Sequence, residues 1–359
     1  MKVERVTLRN FKRFDALTID IKNRALDEVA DQFLILGDNG TGKTTVLQAI
    51  ALCLSKACGQ TSVEYFDWPG WIPGRYKRWG QPQIELAVRF TEDEIAATAE
   101  AARRWWEDLN EPQQSFTAPG KKTTVHLRLD GEQFQNDASE LAQFMGRSHA
   151  ASLLSTDASA RDLFDRLPGV FWFDQFRNLA TLPNGEMQSP PQDVSYQAGV
   201  ARLREYLNKW MFERIGKGVP GLERHDYLLE LENLYKKVFA GRSFAGPEPM
   251  FRGGIPSPAD YYFMISDGHR TYDIEEMSAG EQSVFPMLYE FVRQQIKNSV
   301  VLIDEIDLNL HPPLAQTLVS ALPQLGVNCQ FIYTTHSEAI SGVVSPEQVY
   351  RLPGGRLCL

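Results

Sequence analysis

The stretch GDNGTGKTT, Gly37 to Thr45, joins the apolar run FLIL to the helical run VLQAIALCLSK and fits the spacing GxxxxGK[ST]. Gly37, Gly40 and Gly42 let the backbone N–H groups of a loop running through Asp38, Asn39 and Thr41 converge on phosphate oxygens at a helix N-terminus. Lys43 is then placed to reach the β- and γ-phosphates, and Thr44, followed by Thr45, offers its hydroxyl to Mg²⁺. A plain glycine turn before a helix has no need for the Lys-Thr pair. A second stretch, VVLIDEIDLNLHP from Val300 to Pro312, is an apolar run that ends in two adjacent acids. Burying a carboxylate at a strand end is costly without a partner, so Asp304 is a candidate magnesium ligand; Glu305 is placed to orient or deprotonate a water beyond the γ-phosphate. His336, in TTHS, follows another apolar run. Alone it reads as an ordinary surface or core histidine, but a parallel strand beside the acid-bearing one would deliver its C-terminal end to the same crevice.

The elements that must position these residues are legible as periodicity. Near the start, LTIDI alternates Leu17, Ile19 and Ile21, while FLIL at Phe33–Leu36 is a continuous run of buried-strand type. IELAVRF puts Ile84, Leu86, Val88 and Phe90 on one face, and Thr91 to Glu94 then forms a capping box that opens a helix toward Leu109. A hairpin follows where Val125, Leu127 and Leu129 alternate before the Asp130-Gly131 turn. Between Ala138 and Ala240 the chain reads as helical and irregular: VARLREYLNKWM and YLLELENLYKKVF repeat apolar residues at three and four, separated by the loop LPNGEMQSPPQD. GRSFAGPEPMFRGGIPSP is expected to break all regularity. Afterwards YYFMI, Asp267-Gly268 and RTYDI form a second hairpin, followed by a helix to Ile296, the strand VVLI, a helix through LAQTLVSAL and the strand QFIYTTHS. Strands alternating with helices make this end α/β with a largely parallel sheet. The expected organisation is a single split domain over residues 1–359: an N-terminal half at 1–136 with the phosphate loop, a mainly helical insertion at 137–258 that also carries the strand GVFWFDQ, and a C-terminal half at 259–359.

One short corner, MSAGEQ at Met277–Gln282, contains nothing overtly catalytic. Its local reading is a helix cap, with Ser278 at N-cap and Glu281 at the third helical position. Its order in the chain says more. Gly37–Thr44, MSAGEQ, LIDEID and TTHS occur in the order seen in ABC-type ATPases, and the whole resembles the SMC-like, RecF-like and OLD-like branch of that family more than its transporter domains. MSAGEQ is similar to the family signature LSGGQ, with Met for the first Leu and Ala for the first Gly; the start MKVERVTLRNFKRFDALTIDI is similar to that branch's entry strand. The resemblance covers the two ends of the chain. The fold it implies is an ABC-type ATPase head: an α/β P-loop core with a parallel sheet, antiparallel N-terminal strands and a mainly helical insertion.

The resemblance also implies roles for further residues. ATP and Mg²⁺ are the implied cofactors, and a homodimer forming on ATP binding is the implied assembly. In it Ser278, Ala279, Gly280, Glu281 and Gln282 of one chain close over the γ-phosphate held by the other. Asp307 sits where the family's D-loop crosses to the partner subunit. Gln175, at the end of GVFWFDQ, matches the glutamine that helps hold Mg²⁺ and water; Gln81 and Gln83 are rivals for that role, and a plain polar strand end is the alternative. Lys12 resembles a nucleotide-contacting position, against an exposed lysine. Arg75 and Arg78, in GRYKRW, are either phosphate-reaching arginines or solvated side chains. Very long coiled-coil arms do not fit the short, proline-interrupted middle, and no nuclease domain is expected in SEAISGVVSPEQVYRLPGGRLCL. What remains is a stand-alone head whose output belongs to an effector or nuclease partner protein.

Composition narrows the setting. With 359 residues, 43% of them hydrophobic and 11% aromatic, the chain can bury one or two substantial cores. Cys53, Cys58, Cys329 and Cys358 form no CxxC pair, which disfavours zinc and suits a reducing cytosol. No apolar run is long enough to span a bilayer and the charged start is unlike a signal peptide, so a cytoplasmic protein without membrane association is expected. A net charge of −9 gives no general attraction to nucleic acid, whose binding would need a local basic patch. The leading expectation is Mg²⁺-dependent ATP hydrolysis that resets a switch or motor in antiviral defence or DNA repair. The alternatives are an energising subunit of a membrane transporter and an ATP-clamped binding module with little turnover.

Overall fold

The continuous apolar runs become the inner strands of a parallel sheet, because strands covered on both faces have no polar side to show. In the computed structural model, which describes residues 1–23, 26, 28–59, 80–109, 115–175, 177, 196–215, 225–250 and 257–353, this sheet has the spatial order Val349–Arg351, Gln32–Leu36, Gln330–Thr335, Val300–Ile303 and Val170–Phe173. Every pairing in it is parallel. Thr335 pairs with Leu36 and Ile303 with Tyr333, so the loop after Leu36, the acids after Ile303 and the histidine after Thr335 all leave the same edge of the sheet.

Alternating segments build a second sheet, antiparallel, in the order Phe14–Asp20, Lys2–Phe11, Gln83–Arg89, Thr124–Asp130 and Gln133–Phe134. The hairpin turns at Gly131, whose φ of 61° is the left-handed conformation that the turn requires and glycine adopts without strain. Helix Lys43–Ala57 packs with both sheets. Val46, Leu47, Ile50 and Leu54 share one core cluster with Val6, Leu8 and Leu86 of the antiparallel sheet and with Phe33, Val300 and Ile332 of the parallel one. A helix covered on more than one side is apolar on more than one side, which explains why VLQAIALCLSK shows no clean amphipathic stripe. The expected capping box is present, with Thr91 and Glu94 opening helix Glu92–Asp108.

Contacts divide the chain into two units: Met1–Asp174 with Ile296–Ile306 and Leu322–Leu359, and Gln175–Gln295 with Asp307–Ala321. Both sheets just described belong to the first. The second contains helices Tyr196–Ile215, Tyr227–Val238 and Ala279–Arg293 and a three-stranded antiparallel sheet, Ser243–Pro249, Tyr261–Ser266 and Thr271–Asp273. One expectation fails here. SFAGPEP, read as irregular, is a strand paired with Tyr261–Ser266. Its two prolines are tolerated because it lies at the sheet edge, and Gly246, at a φ of 100°, absorbs a register shift after Phe244. The loop LPNGEMQSPPQD, Arg75, Arg78 and Cys358 lie outside the described residues.

Candidate functional site

The phosphate loop is shaped by steric exclusion. Gly42 has a φ of 102°, and a Cβ there would come within 2.6 Å of both Arg13 Cδ and the Phe14 ring. Only glycine fits. Gly40, at a φ of 80°, meets nothing within 4 Å and is required by conformation alone. Asp38, Asn39 and Gly40 are exposed, whereas Thr41 is buried and donates its hydroxyl to Asp38 O at 2.9 Å. Lys43 is buried as well; its Nζ donates to Gly37 O at 2.8 Å and Asp38 O at 3.1 Å. The ammonium is thereby held at the mouth of the loop. Thr44 and Thr45 are half-buried in the first turn of the helix.

The acid-bearing strand meets this loop through side chains. Thr44 Oγ1 donates to Asp304 Oδ2 at 2.7 Å, and Thr334 Oγ1 donates to Asp304 Oδ1 at 2.6 Å. Asp304 is fully buried, so both hydroxyls act in a poorly solvated place where such bonds are strong. Glu305 adopts a φ of 46°, the left-handed region that non-glycine residues seldom occupy. The strain is tied down on both sides: Glu305 N donates to Thr334 Oγ1 at 2.8 Å, and Ile306 N donates to Thr334 O at 3.0 Å. Sequence reasoning missed Thr334. Its signal was present in the unusual polar end of an otherwise apolar strand, QFIYTT, where Thr334 and Thr335 are both fully buried.

Oxygen donors at this spacing suit a small hard cation. Thr44 and Asp304 supply one hydroxyl and one carboxylate, which with the phosphates of a nucleotide and water would make the octahedral oxygen set that Mg²⁺ prefers. Among the described residues no group of three or more His, Cys, Asp and Glu side chains could hold a metal by protein ligands alone. His336 leaves the same sheet edge one residue beyond Thr335 and is exposed. Lys12 is not the exposed lysine of the alternative reading. It is half-buried, donates to Gln48 Oε1 on the phosphate-loop helix at 2.5 Å, and burial pulls its pKa down to about 8. Gln81 donates to Asp130 at the hairpin, 2.7 Å away, and Gln83 opens a strand of the antiparallel sheet. Gln175 follows by two residues the strand Val170–Phe173, whose last carbonyl accepts from Asp304 N at 2.8 Å.

The second unit holds the corner at Met277–Gln282. Ser278 caps helix Ala279–Arg293: its Oγ accepts from Glu281 N at 3.3 Å, and Ser278 N and Oγ donate to Glu281 Oε2 at 2.9 and 2.7 Å. Ser278 and Ala279 are exposed, Gly280 and Gln282 half-buried, Glu281 buried. A Cβ on Gly280 would point toward Leu310 Cδ2, 3.3 Å away, and Asn309 O, 3.5 Å away. Gln282 Nε2 donates to Met277 O at 2.8 Å and to Tyr196 at 3.0 Å. Asp307, half-buried, accepts from Leu310 N through its carbonyl at 3.0 Å and so starts a tight turn.

A parallel sheet, a phosphate loop facing an acid pair and an added antiparallel sheet define the head fold of ABC-type ATPases. The likeness to the Smc head bound to the C-winged helix domain of ScpA, with a TM-score of 0.53 at 13% identity over 97% of this chain and 96% of that one, concerns this fold. The chain belongs to the family described as "AAA domain, putative AbiEii toxin, Type IV TA system", whose pattern matches residues 33–341. It is similar to "Retron Ec83 probable ATPase" of Escherichia coli, 23% identical over 410 residues, which span 99% of this chain and 72% of that protein. It is also similar to "Septu protein PtuA" of Bacillus mycoides, 22% identical over 362 residues; there the match spans 96% of this chain but 40% of the relative.

Proposed function

We propose that this chain is a Mg²⁺-dependent ATPase that dimerises on ATP and uses hydrolysis to reset a switch acting through an effector partner. The observation that carries this reading is the buried Asp304 carboxylate shared by Thr334 and by Thr44, the residue that follows Lys43 in the phosphate loop. Lys43, Thr44 and the N–H groups from Asp38 to Thr45 bind the β- and γ-phosphates. Asp304 and Thr44 would hold the cation, which when bound would lower the cost of charge developing on the phosphoryl oxygens. Glu305 takes the proton of the attacking water, and exposed His336 contacts the γ-phosphate side. Gln175 would help hold the same cation and water, and half-buried Lys12 would add positive charge near the nucleotide. Ser278 to Gln282 act on the nucleotide held by a second copy, with Asp307 at the crossing between them.

Antiviral defence is favoured over DNA repair by the relatives named as retron and Septu proteins. No helix among the described residues is long and apolar enough to cross a membrane. Nucleic-acid binding would need local basic patches to oppose the net charge of −9. The test is phosphate release from ATP with and without Mg²⁺ for the native chain and for Lys43→Ala. Loss of turnover in the variant is expected; native turnover in Lys43→Ala overturns the reading.

A further inference from the structure

The carboxylate that caps Ser278 has two faces. Glu281 Oε2 accepts from Ser278, as described, while Oε1 accepts from Tyr235 at 2.5 Å and from Tyr272 at 2.8 Å, with Arg242 Nε 3.4 Å away. Tyr235 lies on helix Tyr227–Val238 and Tyr272 on strand Thr271–Asp273, so three separate segments converge on one oxygen. Tyr235 is fully buried, with its ring packed against Phe239, Phe244 and Phe285 at centroid distances of 4.9, 5.8 and 5.5 Å. Burial pushes Glu281 up, but hydrogen bonds from Tyr235, Ser278 and Tyr272 outweigh it and hold the carboxyl below its ordinary value. A helix cap needs only Ser278 and Glu281. The additional donors couple the cap to a helix that supplies no residue to it.

We propose that Tyr235 is a positioning residue for ATP turnover: its hydroxyl, acting through the Glu281 carboxylate, sets the orientation of Ser278 and the first N–H groups of helix Ala279–Arg293. Helix Tyr227–Val238 thereby governs hydrolysis from a buried place, and an effector that shifts this helix would change the rate. This rests on the reading of Ser278–Gln282 as donors to the nucleotide of a second copy.

Tyr235→Phe keeps the ring and its packing and removes the hydroxyl alone. Turnover at saturating ATP should fall about tenfold, the scale of one lost hydrogen bond to a charged group, while fluorescent-nucleotide affinity stays within about twofold. Glu281→Gln should fall at least as far, since its single amide oxygen, kept by Ser278, leaves Tyr235 no oxygen to donate to. The double variant should be no slower than Glu281→Gln, because Tyr235 acts through that group. Independent, multiplying losses in the double variant would overturn the proposal, as would native turnover in Tyr235→Phe. If Tyr235→Phe fails to fold, Tyr272→Phe removes the other phenol from the same oxygen, and the same cycle with Glu281→Gln is decisive. Ala279→Arg separates the two levels. Full turnover in Ala279→Arg sinks the reading of the corner; an inactive Ala279→Arg beside an unaffected Tyr235→Phe sinks only the positioning role.

Discussion

Thr44 and Asp304 stand 260 residues apart in the chain, and the threonine hydroxyl donates to the carboxylate at 2.7 Å. The bond joins the first turn of the phosphate-loop helix to the end of the acid-bearing strand. A cation held between them would therefore sense nucleotide on one side and the strand of Glu305 on the other.

Thr334 should matter to turnover although it was no candidate from its residue type. Thr334→Val removes a donor to Asp304 and the acceptor for Glu305 N in a fully buried place, so an activity loss of about 10- to 100-fold is expected, with a stability loss of about 2 kcal/mol. Thr334→Ser keeps the hydroxyl and should recover most of the rate. Steady-state phosphate release checks both; equal activities in the two variants would remove the hydroxyl from the account.

Glu305→Gln keeps size and hydrogen bonding but loses the base. It is expected to bind ATP, turn over at least about 100-fold more slowly, and accumulate as a dimer under saturating nucleotide. Light scattering with and without ATP reads the outcome, and a variant that remains monomeric argues against ATP-gated association.

The proposed contact of Lys12 with the nucleotide predicts a pH signature. Burial lowers its pKa to about 8, so in the free protein it is largely charged below that pH and neutral above it. A phosphate held by the charged form requires proton uptake above pH 8. Affinity should be flat below pH 8 and weaken as pH rises through it, by up to about tenfold per unit. Lys12→Arg stays protonated and should flatten the curve; a fluorescent-nucleotide titration at pH 7, 8 and 9 with identical curves for the two proteins would remove Lys12 from the site.

The corner at Ser278 is best probed at Ala279. A substitution at Gly280 would press on Leu310 and Asn309 of the same chain, whereas Ala279 is exposed. Ala279→Arg should abolish turnover while leaving ATP binding to Lys43 and Thr44 intact. Mixed with Lys43→Ala, it should regain up to about a quarter of native activity, because random pairing rebuilds one complete site in each mixed dimer if the sites act independently. Native turnover by Ala279→Arg alone would show that this corner serves no phosphate.

What the sequence determined by itself is what neighbours along the chain can settle. The loop Gly37–Thr44, the capping boxes at Thr91–Glu94 and Ser278–Glu281, and the turns at Asp130-Gly131 and Asp267-Gly268 rest on backbone geometry and hydrogen bonds spanning a few residues, so composition and spacing specify them. Apolar periodicity likewise marked the buried strands, including Val300–Ile303 and Gln330–Thr335. Tertiary structure alone decided the rest. Nothing within a few residues of Thr334 announces that its hydroxyl bonds both Asp304 and the strained backbone of Glu305, and nothing near Tyr235 points to Glu281. SFAGPEP became a strand because an edge position needs no donor from its prolines, and Lys12 became half-buried because Gln48 faces it from the phosphate-loop helix. Such pairings depend on which distant segments pack together, and a buried polar group takes its partner from whichever segment the fold delivers.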